Sequence, residues 1–193
     1  MEAADRGRKL RLEQFGWGSF MAINILGEGR CGTVYEAMFR GERVALKICD
    51  LWQHPKYHEE MLTEARAYMA LEPLQGHCIL KLKGVGYTAG GLFALVTELG
   101  GSPIEVENLN DEMRERIIKA LASIHAQGLL HGDIRHENIL FSHCPNGFNI
   151  TFIDFGFSRK ISNLKEAQKE MIALKDILRI RSRIPLCPLA TNV

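Results

Sequence analysis

His131-Gly132-Asp133-Ile134-Arg135-His136-Glu137-Asn138-Ile139-Leu140 is followed by Asp154-Phe155-Gly156, with Asp154 21 residues after Asp133. Asp133 and Asn138 are five apart, in a loop between a helical stretch and a short strand-like piece; Asp154 ends another such piece. Acidic and amide oxygens converging from two loops suit Mg²⁺, which prefers oxygen ligands and phosphate partners. A further Asp can accept or orient a hydroxyl proton. Alone, Asp-Phe-Gly is only a turn, so its weight depends on what precedes it.

Working outward, Phe20–Leu26, Thr33–Phe39 and Arg43–Cys49 read as three strands joined by a glycine-rich turn (27–32) and a short turn at Arg40-Gly41-Glu42, an antiparallel meander. His58–Leu71 takes a helical period, with Met61, Leu62, Ala65, Tyr68 and Met69 on one stripe. Ile79–Tyr87 and Leu92–Leu99 are two more strands. Gly100-Gly101-Ser102-Pro103 breaks the pattern and marks a lobe boundary. Beyond it, Asp111–Ala126 and Leu164–Leu178 are helical; the second carries Leu164, Ala167, Met171, Leu174 and Leu178 on one stripe. The expectation is an α+β chain: five strands with one helix, then a mostly helical half.

Composition limits the function. The 193 residues carry a net charge of +1, with 46% hydrophobic and 24% charged residues. Those values exclude a disordered chain, a collagen-like repeat and a polybasic nucleic-acid protein. There is no run of 18 apolar residues, so no membrane span is expected. Five cysteines, at 31, 49, 78, 144 and 187, form no C-x-x-C and no zinc spacing, which reads as reduced thiols in an intracellular, cytoplasmic protein.

Three further groups bear on chemistry. Gly27-Glu28-Gly29-Arg30-Cys31-Gly32 joins two strands rather than a strand to a helix, which argues against a dinucleotide fold and for a strand–glycine–strand flap over a triphosphate. Lys47 lies late in the apolar strand Val44-Ala45-Leu46-Lys47, where a charge needs a partner or a ligand. Glu64 sits in the first helix, able to face the sheet. Alone, Lys47 reads as a snorkelling surface residue and Glu64 as a solvated one. Behind a glycine flap, the two together suggest an ammonium held by a carboxylate for phosphate oxygens.

Taken in this order, the chain resembles a eukaryotic-type protein kinase across residues 20–156. The resemblance implies a two-lobed fold: a five-stranded antiparallel N-lobe sheet with one helix (16–99), a hinge (98–103) and a truncated, mainly helical C-lobe (104–180). A flexible tail (1–15) would precede this domain (16–193) and a loose tail (181–193) would close it. Gly27, Gly29 and Gly32 would cover the phosphates of ATP. Lys47 would bind α- and β-phosphate and pair with Glu64. Asp133 would act as base, and Asn138 and Asp154 would hold Mg²⁺. Leu26, Val34 and Ala45 would roof the adenine pocket over Leu140, with Thr97 as gatekeeper and Glu98 and Leu99 as hinge. His131, Phe155, Tyr68 and a residue near Leu80–Leu82 would stack as a hydrophobic spine.

Departures from the family pattern are as informative. Gly132 replaces the Arg that pairs with a phosphorylated activation loop, so no such switch is expected. Arg135 stands where Lys is usual, keeping a positive charge near the transferred phosphate with different geometry. Glu170 takes the place of the Asp that steadies the catalytic loop, which would leave 13 residues (157–169) before that helix, and there is no Ala-Pro-Glu. The leading expectation is an ATP- and Mg²⁺-dependent Ser/Thr protein kinase with a protein substrate, no nucleic acid or membrane partner, and a partner covering the incomplete C-lobe. Two alternatives stand beside it: a pseudokinase without catalysis, and a small-molecule kinase of the aminoglycoside or choline type.

Overall fold

The computed structural model describes residues 10–145 and 147–180; most of the expected N-terminal tail and all of the expected C-terminal tail lie outside them. The meander forms as read. Strands β2 (Phe20–Gly29), β3 (Gly32–Phe39) and β4 (Glu42–Asp50) pair antiparallel, and β5 (Leu82–Thr88) and β6 (Leu92–Glu98) extend the sheet beyond β4.

A sixth strand, β1 (Glu13–Phe15), completes the sheet order β1-β5-β6-β4-β3-β2 and pairs parallel to β5. Sequence reading left these three residues in the tail, because three residues carry no periodic signal. Packing holds them in place. Phe15 is buried against Phe20 and Phe39 at ring-centroid distances of 4.9 and 5.7 Å. Opposite Glu13, a Cβ on Gly86 would fall 2.0 Å from the Glu13 carbonyl oxygen, so only glycine allows the strand this close. Glu13–Phe15 thus belong to the sheet rather than to the expected tail.

One face of the sheet carries a small core with Phe15, Phe39, Val44, Leu46 and Val96. The other receives α1 (His58–Ala70), which buries Met61, Leu62, Ala65 and Tyr68 as its stripe predicts, together with Glu64. From there a single continuous core descends through Leu80, Phe155, Ile139 and Phe152 to Ile117, Leu121 and Ile124 of α2 (Asp111–Ala126). Asn110 caps α2 by accepting from the Met113 N–H at 2.8 Å, with Asp111 and Glu112 in its first turn.

Short strands fix the loops between the lobes. β7 (Ser102–Pro103) and β10 (Gly147–Phe152) flank β9 (Ile139–Cys144), and β8 (Leu129–Leu130) pairs with β11 (Arg159–Lys160). Helix α3 (Leu164–Ile177) follows almost at once. Its start is held by Asn163, whose side chain accepts from the Glu166 N–H, while Glu166 accepts from Ser162. Its stripe is only partly buried: Leu174 and Leu178 are enclosed, but Leu164 is 72% exposed.

Replacing Phe15 by Ala is expected to cost about 3 kcal/mol in urea unfolding, since a ring enclosed by two others leaves a cavity. Trp17→Ala, two residues on but 88% exposed, should change stability by less than about 0.5 kcal/mol.

Candidate nucleotide-binding site

Strand β4 carries Lys47 inward, where its Nζ meets Glu64 Oε2 of α1 at 2.7 Å and Asp154 Oδ1 at 2.9 Å. Burial disfavours the ammonium, but the two carboxylates outweigh it and hold the Lys47 pKa above its ordinary value. Burial likewise works against the Asp154 carboxylate, and Lys47 overcomes it, so Asp154 stays ionised below the usual range. Asp154 has a φ of +64°, a left-handed conformation that Asp tolerates at a cost and that ends β10 in a sharp turn.

Asn138 and Asp133 face this centre from the loop of residues 131–138. Asn138 Nδ2 donates to the Asp133 carbonyl oxygen at 2.9 Å and to Asp133 Oδ2 at 3.0 Å. That leaves its amide oxygen as the group available to a cation. Arg135 stands beside both carboxylates, its Nε 3.2 Å from Asp133 Oδ2 and its terminal nitrogen 4.0 Å from Asp154 Oδ2. The donor set of Asp154 and Asn138 is all oxygen, as Mg²⁺ prefers. Among the described residues, no cluster of three His, Cys, Asp or Glu marks a site built from protein ligands alone. Mg²⁺ typically takes one or two carboxylates and fills its sphere with water and phosphate, so the residues present fit it.

A cleft of about 780 Å³ opens above this centre. Leu26, Val34, Ala45, Thr97, Leu99 and Leu140 line one end, and Gly27, Gly29, Gly32, Lys47, Asp133, Arg135, Asn138 and Asp154 the other. A bulge in β2 between Ile25 and Gly27 drops Leu26 out of strand register and sets it on the cleft wall. The glycine turn is tighter than the sequence suggested. The ladder runs to the Gly29–Gly32 pair, leaving only Arg30 and Cys31 as the turn. At Gly32, with φ +148°, a Cβ would lie 1.9 Å from the Ile48 carbonyl oxygen. Glu98 differs from its expected neighbours: its carboxylate accepts from the Lys81 N–H at 3.0 Å, and it is not among the lining residues.

Sequence reasoning placed Gly100 and Gly101 at the lobe boundary but did not see that the chain passes there so close to β9 that a Cβ on Gly101 would lie 1.7 Å from the Phe141 carbonyl oxygen. Nor did it single out Glu60 and Phe157, which also line the cleft. Glu60 lies one helical turn before Glu64, a spacing that signals a shared face.

Below the cleft the expected spine assembles. Tyr68 meets Phe155 edge-on at 5.6 Å, and His131 lies 4.8 Å from Phe155, with Leu80 buried nearby. His131 Nε2 is 2.9 Å from the Ile153 carbonyl oxygen. Glu170 reaches from α3 and accepts from the backbone N–H of His131 at 3.1 Å and of Gly132 at 2.7 Å, and lies 2.7 Å from His125 Nε2. Burial pushes its pKa up, and these donors pull it below the usual value.

Gly132 has φ +86°, and a Cβ there would lie 2.1 Å from the Phe157 carbonyl oxygen. The absent side chain leaves room for the chain leaving Asp154-Phe155-Gly156, which runs directly into β11. Only seven residues, 157–163, separate Gly156 from α3, which begins at Leu164 as its apolar period predicts, with Glu170 inside the helix rather than at its start.

This fold and this cleft define a class, and the sequence comparison agrees. Residues 20–175 match the family described as protein kinase domain, and the chain belongs to that family. It is 29% identical over 148 residues to the probable serine/threonine-protein kinase fhkB of Dictyostelium discoideum, covering 70% of this chain and 13% of that protein. It is 27% identical over 174 residues to serine/threonine-protein kinase dkf-2 of Caenorhabditis briggsae, covering 83% and 14%. It is 28% identical over 152 residues to human serine/threonine-protein kinase D3, covering 72% and 17%. The chain thus spans less than a fifth of the length of these relatives. No helix among the described residues is long and apolar enough to cross a membrane. Cys31, Cys49, Cys78 and Cys144 are unpaired; Cys187 lies outside the described residues.

Two outcomes are expected. Gly132→Ala should cost more than about 2 kcal/mol in urea unfolding, because it combines a left-handed backbone with a backbone clash, and Gly132→Arg should cost at least as much. Burial pulls the His131 pKa below the ordinary imidazole value. The unfolded chain then binds more protons between the folded value and the ordinary one, so stability rises with pH across that window and falls on acidification. The melting temperature should therefore drop between pH 7.5 and pH 5.5, and His131→Phe should flatten that drop.

Proposed function

We propose that the chain is an ATP- and Mg²⁺-dependent protein kinase that transfers the γ-phosphoryl group of ATP to Ser or Thr hydroxyls of a protein. The observation that carries this reading is the ammonium of Lys47 between Glu64 and Asp154. That arrangement aims a fixed positive charge into a cleft roofed by glycines. The names of the relatives, all serine/threonine-protein kinases, support the choice of acceptor.

On this reading each residue has a defined task. Leu26, Val34 and Ala45 above and Leu140 below hold adenine, between Thr97 and the backbone of 98–101. Gly27, Gly29 and Gly32 let backbone N–H groups approach the phosphates. Lys47 neutralises phosphate charge, and Glu64 keeps its ammonium from swinging away. Asp154 and Asn138 would hold Mg²⁺, which supplies charge neutralisation at the phosphate oxygens. Asp133 orients the acceptor hydroxyl and takes its proton, with Asn138 fixing the rotamer of its carboxylate. Arg135, already beside Asp133 and Asp154, contributes positive charge where the phosphoryl group passes. Catalysis in such a site is mainly positioning and electrostatics.

One observation favours a second reading, a nucleotide-binding module without transfer. The seven residues between Gly156 and α3 form no shelf for an extended peptide. Purified protein incubated with Mg·ATP and a generic protein substrate should yield phosphoprotein. Asp133→Ala and Lys47→Ala should each lower the rate by at least about 10²-fold. ATP binding by the parent without any transfer would decide for the second reading, and transfer only to a small aminoalcohol would replace the protein acceptor.

A further inference from the structure

Glu60 has no task in the chemistry above, yet Arg30 and Cys31 of the hairpin tip and, from another segment, Gly156 converge on it. Arg30, at the turn of the β2–β3 hairpin, donates from one terminal nitrogen to both of its oxygens, at 2.7 and 2.8 Å. The same guanidinium lies 5.1 Å from the ring centroid of Tyr57 and 4.8 Å from that of Phe157. Cys31 donates its thiol proton to Glu60 Oε1. From below, Gly156 packs so tightly that a Cβ there would lie 2.7 Å from Glu60 Cγ.

We infer that Glu60 is a positioning residue: acting through Arg30, it latches the glycine hairpin closed over the phosphate end of the cleft and registers that hairpin against α1 and Asp154-Phe155-Gly156. The inference rests on the nucleotide-binding reading and deepens it. The hairpin tip is two residues long with glycine on either side, so its own backbone does little to fix its height above the cleft. The guanidinium supplies what the backbone lacks, a charge-assisted contact to both carboxylate oxygens, with the Tyr57 and Phe157 rings beside it. Glu60 is one helical turn from Glu64 on the same helix. Closing the flap therefore favours the α1 position in which Glu64 reaches Lys47, and loss of the latch loosens both.

Cys31 offers a reporter that does not depend on ATP. It is 6% exposed, and burial together with the Glu60 carboxylate pushes its pKa up to about 12. In the closed hairpin it is a proton donor and a poor nucleophile. An open hairpin would expose it and free it from Glu60.

The test compares the parent with Arg30→Ala, Arg30→Lys and the exchanged pair Arg30→Glu/Glu60→Arg. The readouts are the dissociation constant for Mg·ATP and the rate of iodoacetamide alkylation at Cys31, located by peptide mass spectrometry. Arg30→Ala should weaken Mg·ATP binding about three- to ten-fold, as expected for a half-exposed charge-assisted pair, and should speed Cys31 alkylation. Arg30→Lys should fall between, and the exchanged pair should recover toward the parent in Mg·ATP binding. Unchanged alkylation in Arg30→Ala would overturn the latch, whatever the nucleotide result. Faster alkylation in a protein that binds no Mg·ATP would sustain the latch and overturn the nucleotide-binding reading instead.

Discussion

The Lys47 ammonium is the interaction on which the cleft depends. It joins three segments far apart in sequence: strand β4, helix α1 through Glu64, and the loop after β10 through Asp154. A buried charge is tolerated only when its partners are well placed, and two carboxylates that would otherwise repel each other are drawn together by one cation. The core runs beside this pair. Tyr68 and Phe155 meet edge-on below it, so the polar contact and the apolar stack constrain α1 in the same direction.

A second constraint acts below the cleft. Glu170 accepts two consecutive backbone N–H groups of the loop that carries Asp133, and His125 lies against the same carboxylate. The loop therefore takes its position from α3, and α3 sits close because the segment before it is short. Gly132 makes that shortness possible, since no side chain stands between the loop and the Phe157 carbonyl. An Arg there would have no room, and with no long segment it would have no phosphate to meet.

Much of this was readable from the chain. The five antiparallel strands and three main helices follow from periods of 2 and 3.6 and from turn residues. The lysine, glutamate, asparagine and aspartates of the centre follow from their order. Other features depend on approach distances that no pattern encodes. Strand β1 has three residues and exists because Gly86 admits it. The outward face of α3 at Leu164 reflects how little lies against it, not its own apolar period. The Arg30–Glu60 contact joins a turn to a helix across 30 positions, and each residue alone reads as solvated surface.

The brevity of residues 157–163 also limits how the molecule can move. Phe157 and Ser158 alone join Gly156 to β11, and β11 is hydrogen-bonded to β8. There is no slack for Phe155 to swing out of its stack while the rest stays folded. Displacing that ring means breaking the β8–β11 pair and pulling on the capped start of α3. A local flip in this chain becomes a partial unfolding event, with the steep cooperativity and slow recovery that such events carry. Ligands that need the ring displaced must meet that energy, whereas ligands that accept the stacked ring meet none of it.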